Sequence, residues 1–253
     1  MDEKFDEFNK SPTHSVTRRA GLRRFSLCFA GIARIGLGAG QVVQAQTSVV
    51  CDTAGDAIFG SGKGGPQVPA WLDIVQSAIS DAGESILFTL TVNAPIPLAP
   101  SWSVVEEDGG QLWWSWRMVG DHIAFVSNGC LQAKGQNVPA CYCLDLIWSV
   151  QAASFRARLL DDTTCTETAI PFAFSPDRSA FSLLVPKALF TNTTLVSNPN
   201  SFQFLTEIIV WKAGSNGNTS LTILDNAPSQ STQGGGFILG TWSSSTNTSF
   251  GCP

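Results

Sequence analysis

The stretch Ile86-Leu-Phe-Thr-Leu-Thr-Val92 decides the fold class of this 253-residue chain. Its side chains alternate with a period of two, which places successive residues on opposite faces of a β-strand. The stretches Leu112–Met118, Phe155–Leu159 and Phe202–Val210 repeat this alternation, and in the second of them the two arginines are predicted to point outward, away from the core. Such runs, about eleven in all, are separated by turns rich in Gly, Pro, Asn and Asp. The pattern predicts an all-β fold, a single antiparallel β-sandwich of jelly-roll or immunoglobulin-like type.

Residues 1–45 have the layout of a cleaved export signal. Arg18-Arg19 precedes a mildly apolar stretch, Phe25–Gly40, and Val43-Gln44-Ala45 offers small or β-branched residues for cleavage. The paired arginines are typical of twin-arginine export, and the general secretory route is the alternative. We therefore expect a secreted protein, extracellular or periplasmic, whose mature part is one domain of residues 46–253.

The composition of residues 46–253 excludes several classes of partner. This part carries eight basic and sixteen acidic residues, so it offers no positive surface for nucleic acid. It has no apolar run near the ~18 residues of a membrane span. The glycine-rich segment Gly60–Gly64 is not a phosphate loop, because Ala57 replaces the first glycine and Gly64 replaces the Ser/Thr that holds magnesium. No nucleotide is expected.

Six cysteines remain after residue 45, and an even number in an exported chain favours disulfides. They are Cys51, Cys130, Cys141, Cys143, Cys165 and Cys252. Cys51 and Cys252 lie at the two ends of the mature part and are expected to pair, since domain termini are often close. Cys141 and Cys143 lie on one face of a strand, about 7 Å apart, so separate partners are expected, with Cys130 and Cys165 nearest. A zinc site of those last four is the alternative.

Four aspartates are candidate ligands for calcium. Asp52 and Asp56 flank a turn at Gly55, Asp73 precedes a strand, and Asp225 follows one near the C-terminus. A bond between Cys51 and Cys252 would bring the first turn near Asp225, and Ca²⁺ binds six to eight oxygen ligands. The alternative is an ordinary structural role, because aspartate side chains accept hydrogen bonds from nearby backbone N–H groups in turns.

Two tryptophans and an arginine are candidate ligand-binding residues. Trp113 and Trp211 lie opposite the apolar alternation of their strands, and Arg117 shares the face of Trp113. An exposed indole ring beside a charged group suits stacking against a sugar ring or a contact with another protein. The alternative is that both tryptophans are partly buried in the sheet.

Catalytic motifs are mostly absent from the mature sequence. Its one histidine, His122, has no G-x-S-x-G nucleophile elbow to accompany it. The enzyme alternative is therefore a glycosidase or lyase that uses carboxylates, with Asp145, Glu106 and Glu207 as candidates.

The order of these segments resembles bacterial extracellular β-sandwich domains of the DOMON and family-nine carbohydrate-binding-module type. The resemblance rests on Asp52-Thr-Ala-Gly-Asp56, Leu72-Asp73-Ile74, Ile170-Pro171-Phe172 and Asp225-Asn-Ala-Pro228, together with the strands between them. It implies a domain that binds a ligand or serves as a surface module. The haem of some DOMON domains is not expected, because the mature chain lacks an evident Met/His axial pair.

The sequence thus predicts an exported, non-catalytic binding or surface module that binds carbohydrate and calcium. Its expected partner is a polysaccharide or a cell-surface protein. The alternatives are the carboxylate-based polysaccharide-active enzyme and a structural cell-surface protein without a small ligand.

Overall fold

A computed structural model describes residues 46–59, 66–106, 109–119, 125–126, 138–139, 141–213, 219–227 and 239–252. All of them fall in one compact unit, Ala45–Pro253. The predicted export signal, the segment Gly60–Gly64, His122 and Cys130 lie outside the described residues.

Short β-strands make up most of the described chain, and they form two large sheets. The first sheet has the spatial order β10 (Phe172–Phe174), β11 (Ala180–Pro186), β3 (Ser85–Val92), β2 (Ile74–Asp81), β1 (Thr47–Cys51) and β15 (Thr248–Phe250). The second has the order β13 (Thr219–Ala227), β12 (Ser201–Ala213), β4 (Gln111–Val119), β7 (Tyr142–Ser149), β8 (Ser154–Asp161) and β9 (Thr166–Ala169), with β14 (Gly240–Ser243) also on β12.

The remaining elements are short. Strands β5 (Phe125–Val126) and β6 (Val138–Pro139) pair with each other. Helix α1 (Ser103–Glu106) and the 3-10 helices Ala70–Leu72 and Lys187–Leu189 lie between strands. Within the described part of the chain, no helix has both the length and the apolar composition needed to span a membrane.

The stretch that predicted the fold is strand β3. Its alternate residues Ile86, Phe88, Leu90 and Val92 are buried, and the residues between them are half-buried. The strand lies inside the first sheet, antiparallel to β2 and β11. Among the described residues, every strand pair is antiparallel except β1 with β15, which is parallel. The prediction of an all-β, largely antiparallel fold is confirmed.

Aromatic and hydroxyl side chains join the two sheets across the core. The ring of Phe88 in the first sheet meets that of Trp116 in the second at 5.7 Å between centroids. Trp116 Nε1 and Thr206 Oγ1 both donate hydrogen bonds to Ser77 Oγ, at 2.8 and 2.7 Å. Because all these groups are buried, each hydrogen bond avoids the cost of an unpaired polar atom. The two sheets therefore pack face to face, consistent with an all-β sandwich.

The two ends of the described chain meet at one edge of the first sheet. Strand β1 pairs with β15, and Cys51 forms a disulfide with Cys252, with their Cα atoms 4.9 Å apart. The disulfide predicted between these two cysteines is therefore present. It fixes the backbone at Cys51, which immediately precedes Asp52.

Candidate functional site

Three of the four predicted calcium ligands come together at one end of the sheets. Carboxylate oxygens of Asp52, Asp56 and Asp225 all lie within 4.8 Å of one another. Asp52 directly follows β1, and Asp56 follows the turn at Gly55, whose φ of +89° favours glycine. Asp225 comes from β13, about 170 residues further along the chain. We refer to these three residues as the aspartate cluster.

Backbone hydrogen bonds hold the parts of the aspartate cluster in place. Ile58 N–H donates to the carbonyl of Leu224 at 2.8 Å, which ties the segment after Asp56 to the residue before Asp225. Ile74 N–H donates to Asp225 Oδ2 at 2.5 Å, and Asn226 N–H donates to Asp225 Oδ1 at 2.8 Å. Both sheets therefore contribute to the position of the Asp225 carboxylate.

Asp73, the fourth predicted ligand, lies behind the cluster and is almost fully buried. Its Oδ2 accepts hydrogen bonds from Gly55 N–H at 2.7 Å and from Asn93 Nδ2 at 2.8 Å. Its Oδ1 is buried and makes no hydrogen bond to any described residue. Asp73 thus supports the Asp52–Asp56 turn, and it keeps one oxygen that needs a partner.

The electrostatics of the cluster centre on Asp225. The pKa of this carboxyl group is raised to about 7: burial is the largest cause, the nearby carboxylates of Asp52 and Asp56 add to it, and the N–H of Ile74 opposes it. The folded protein therefore keeps a proton on Asp225 at pH values where an exposed aspartate is ionised. A hard divalent cation would relieve the same repulsion, because it prefers carboxylate oxygens.

A cleft of about 400 Å³ adjoins the aspartate cluster. Gly55, Asp73 and Asn93 form its polar side, and Ile58 and Phe59 contribute apolar surface. Ile58 is one of the few large apolar side chains that are exposed in the part of the chain that the structure describes. The arrangement offers a mixed polar and apolar surface next to a group of carboxylates.

The predicted ligand-binding tryptophans lie side by side on the face of the second sheet that points away from the core. The rings of Trp113 and Trp211 stack on each other, with their centroids 6.2 Å apart and an angle of 10° between their planes. The guanidinium of Arg158 lies 5.0 Å from the Trp113 ring, whose Nε1 donates to Gln111 at 2.8 Å. Trp113 is only 4% exposed, so the expectation that it presents an open ring is wrong. Trp211 is half-buried.

The predicted ligand-binding arginine, Arg117, forms an ion pair on this same face. Its Nε lies 2.5 Å from Glu207 Oε2, in a geometry that makes a charge contact but not a hydrogen bond. Burial lowers the pKa of Arg117, but Glu207 and the neighbouring cysteines raise it, so the net shift is upward. Arg117 therefore balances the buried charge of Glu207.

Two of the three candidate catalytic carboxylates also lie on this face. Glu207, Ser115 and Asp145 occupy matching positions on β12, β4 and β7. Asp145 accepts hydrogen bonds from Ser115 Oγ at 2.7 Å and from Arg158 Nε at 2.9 Å. Asp145 and Glu207 are almost completely buried. Glu106 lies elsewhere, on α1, where it accepts a hydrogen bond from Ser101.

Arg158 is the residue that sequence reasoning misread on this face. The alternation of β8 predicted that Arg156 and Arg158 both point into solvent. Arg156 is exposed, but Arg158 is buried and pairs with both Asp145 and Glu167. Alternation shows which side chains point away from the core, but it does not show whether the face they lie on is exposed to solvent. We refer to Ser115, Arg117, Asp145, Arg158 and Glu207 as the charged layer.

The cysteines follow the prediction only in part. Cys165 is disulfide-bonded, which excludes the zinc site that included it. Cys141 and Cys143 are free, so the prediction that each forms a disulfide with a separate partner is wrong. Their sulfur atoms lie 3.1 Å apart. The two side chains project from one face of the strand and lean along it, so they contact each other instead of more distant cysteines.

Comparisons with protein-family models, with curated proteins and with solved structures found no match to this chain. The functional assignment therefore depends on the residues described above.

Proposed function

We propose that this protein is an exported, non-catalytic binding module in which the aspartate cluster binds calcium and the bound calcium takes part in holding a carbohydrate. The observation that carries the proposal is the convergence of Asp52, Asp56 and Asp225 within 4.8 Å from distant parts of the chain. Ca²⁺ takes six to eight oxygen ligands, and three carboxylates supply six at most. The ion would complete its coordination with water or with ligand oxygens.

The exposure of the cluster supports an open metal site. Asp225 is buried at the base, whereas Asp52 is half-buried and Asp56 is exposed. An ion held from below by Asp225 would keep open positions on the side of Asp56. Sugar hydroxyl groups can fill such positions, and the adjoining cleft offers Ile58 and Phe59 for the apolar parts of a sugar. Behind the site, Asp73 keeps one buried oxygen that has no described hydrogen-bond partner.

This assignment moves the sugar site away from the tryptophans. Trp113 is almost fully buried and contacts both Trp211 and Arg158, so stacking against a sugar at that position draws no support from the geometry. The enzyme alternative also draws little support, because Asp145 and Glu207 are buried and each pairs with an arginine. Glycosidases need two carboxylates that reach the bond to be cleaved.

The proposed fold is a sandwich of jelly-roll or immunoglobulin-like type, and the proposed location is secreted, extracellular or periplasmic. The disulfide between Cys51 and Cys252 and the bonded state of Cys165 support a compartment that oxidises thiols. The resemblance to DOMON and family-nine carbohydrate-binding domains is part of the same proposal, and so is a polysaccharide as partner.

The test of metal binding is the melting temperature with calcium and with a chelator. At a calcium concentration 100 times the Kd, binding adds about 2.7 kcal/mol of stability. For a chain of this size that gain raises the melting temperature by roughly 5–10 °C. We expect this shift in the wild type and in Glu84→Gln, an exposed carboxylate outside the cluster. Asp56→Asn and Asp225→Asn should lose it; a shift retained in both would refute the metal site.

The test of the ligand is binding to an array of polysaccharides with calcium or with chelator. We expect binding that the chelator abolishes, that Asp56→Asn abolishes and that Trp211→Ala leaves intact. Binding that survives the chelator but disappears in Trp211→Ala would instead support the tryptophan face. Calcium binding without any polysaccharide binding would refute the carbohydrate part of the proposal and leave the metal part standing.

A further inference from the structure

The two free cysteines of the second sheet form an isolated dithiol. Cys141 lies one residue before β7, and Cys143 lies within that strand. Both are buried, and with Val119 and Leu160 they form a small apolar cluster on the face that opposes the core. Their sulfur atoms, 3.1 Å apart, are within hydrogen-bonding distance of each other. The other cysteines of the described chain, Cys51, Cys165 and Cys252, are already in disulfides.

We propose that Cys141 and Cys143 are a redox-active pair that closes to a local Cys-x-Cys disulfide. The sulfurs need to approach by only about 1 Å to reach the bond length of about 2.05 Å. The two Cα atoms are separated by two residues of strand, about 6.4–6.8 Å, which is the upper limit for a disulfide. The bond is therefore possible, but it is more easily reduced than a relaxed one.

The surroundings favour the closed pair over two thiols. In an apolar cluster a thiol has no good partner except the other sulfur, whereas a disulfide has no donor to satisfy. Arg117 lies directly opposite Cys143 on β4, and its charge favours the thiolate through which oxidation proceeds. The hydrogen bond with Cys141 and burial outweigh Arg117 and raise the pKa of Cys143, so this cysteine stays protonated until it reacts.

The reaction requires a low-molecular-weight disulfide such as oxidised glutathione. Cys141 is buried, so it reacts when the segment just before β7 opens locally. It then loses a proton and attacks one sulfur of the oxidant, which forms a mixed disulfide and releases one thiolate. Cys143 then loses its proton and attacks Cys141, which closes the pair and releases the second thiolate. The two protons end on the two released thiolates. Two cysteine thiols are thus oxidised and one disulfide is reduced to two thiols.

The test is a redox titration of the folded full chain in glutathione buffers. Samples are quenched with acid, alkylated under denaturing conditions and digested with chymotrypsin, which cuts after Tyr142 and separates the two cysteines into different peptides. Under oxidising conditions we expect these peptides to be joined by a disulfide, with two fewer alkyl groups per chain. Alkylation of both cysteines at every glutathione ratio would overturn the proposal, as would a bond from either to another cysteine.

Two single variants test the order of the steps. In Cys143→Ser the mixed disulfide at Cys141 cannot be resolved, so one glutathione should remain attached. In Cys141→Ser the buried Cys143 should stay a free thiol. The bond between Cys51 and Cys252 is the internal control, and it should stay closed at glutathione ratios that open the local pair. If both bonds open together, the local pair is structural and not redox-active.

Discussion

The carboxylates of the aspartate cluster and those of the charged layer have neighbours of opposite charge. In the cluster, carboxylates face carboxylates, and the proximity of Asp52 and Asp56 helps to raise the pKa of Asp225. In the charged layer, Asp145 faces Arg158 and Glu207 faces Arg117. A carboxylate that lies against an arginine is already neutralised. In the cluster, three carboxylates from distant parts of the chain converge and the pKa of one of them is raised, and this arrangement is what identifies the cluster as the candidate binding site.

The largest expected effect comes from breaking an ion pair in the charged layer. Arg158→Met would leave Asp145 buried with only the hydroxyl of Ser115 as a described partner. Removing one member of a buried pair costs about 3–5 kcal/mol, because the remaining charge stays out of water. Denaturant unfolding should show this loss, with calcium binding unchanged.

Glu167→Gln is the matched control for that variant. Glu167 also pairs with Arg158, but its side chain is 43% exposed. An exposed pair contributes about 0–1 kcal/mol, so the loss should be small. If Arg158→Met costs no more than this control, the charged layer is effectively solvated and the contrast with the aspartate cluster fails.

The second prediction concerns the disulfide that holds the aspartate cluster. Replacing both Cys51 and Cys252 by alanine should cost about 2–4 kcal/mol of unfolding free energy. It should also weaken calcium binding, because Asp52 directly follows the residue that the bond fixes. Calcium titration of this variant at a temperature where it is folded measures the second effect. An unchanged affinity would show that the backbone hydrogen bonds at Ile58 and Ile74 hold the cluster without the disulfide.

The sequence predicted the strands and the disulfide between the chain ends better than it predicted the surroundings of the candidate sites. The alternation of Ile86–Val92 identified a strand correctly, because every second residue there is both apolar and buried. The pairing of Cys51 with Cys252 followed from the closeness of domain ends. Strands β1 and β15 were not predicted, since Thr47–Cys51 and Thr248–Phe250 are too short to show a period.

The environment of the second sheet could not be predicted in the same way. Its face opposite the core holds Trp113 and Arg158, and both were expected to be exposed. Alternation assigns side chains to two faces, but burial of the outer face depends on contacts that are distant in sequence. The contact between Cys141 and Cys143 was missed for a related reason, because Cα spacing alone does not give the direction of the side chains.

The third prediction uses pH to separate the aspartate cluster from the charged layer. The pKa of Asp225 is raised to about 7 in the folded protein, whereas in the unfolded chain it has the usual value of an aspartate, 3.8. The folded state therefore binds the extra proton, and its contribution to stability is fully present below pH 4 and is lost as pH rises through about 7. In chelator, unfolding free energy should fall across this window by at most about 1.4 kcal/mol per pH unit.

Asp225→Asn should remove that dependence, and saturating calcium should oppose it in the wild type, because the ion binds the ionised carboxylate. Chemical denaturation at a series of pH values, with chelator or with calcium, measures both effects. A wild-type profile in chelator that is identical to the profile of Asp225→Asn would mean that Asp225 ionises normally. The repulsion proposed within the cluster would then be absent.

The smallest expected effect comes from Trp211, the half-buried partner of Trp113. Trp211→Ala removes one stacked ring, and aromatic pairs contribute about 0.5–1.5 kcal/mol beyond their buried area. The loss should appear in denaturant unfolding, whereas the melting-temperature gain from calcium should stay as in the wild type, because Trp211 is not among the residues that form the aspartate cluster or its cleft. Trp211→Phe, which keeps a ring, should recover most of the stability. If Trp211→Ala instead reduces the calcium effect as strongly as Asp56→Asn does, the outer face of the second sheet and the aspartate cluster are energetically coupled, and the two regions cannot be treated as separate sites.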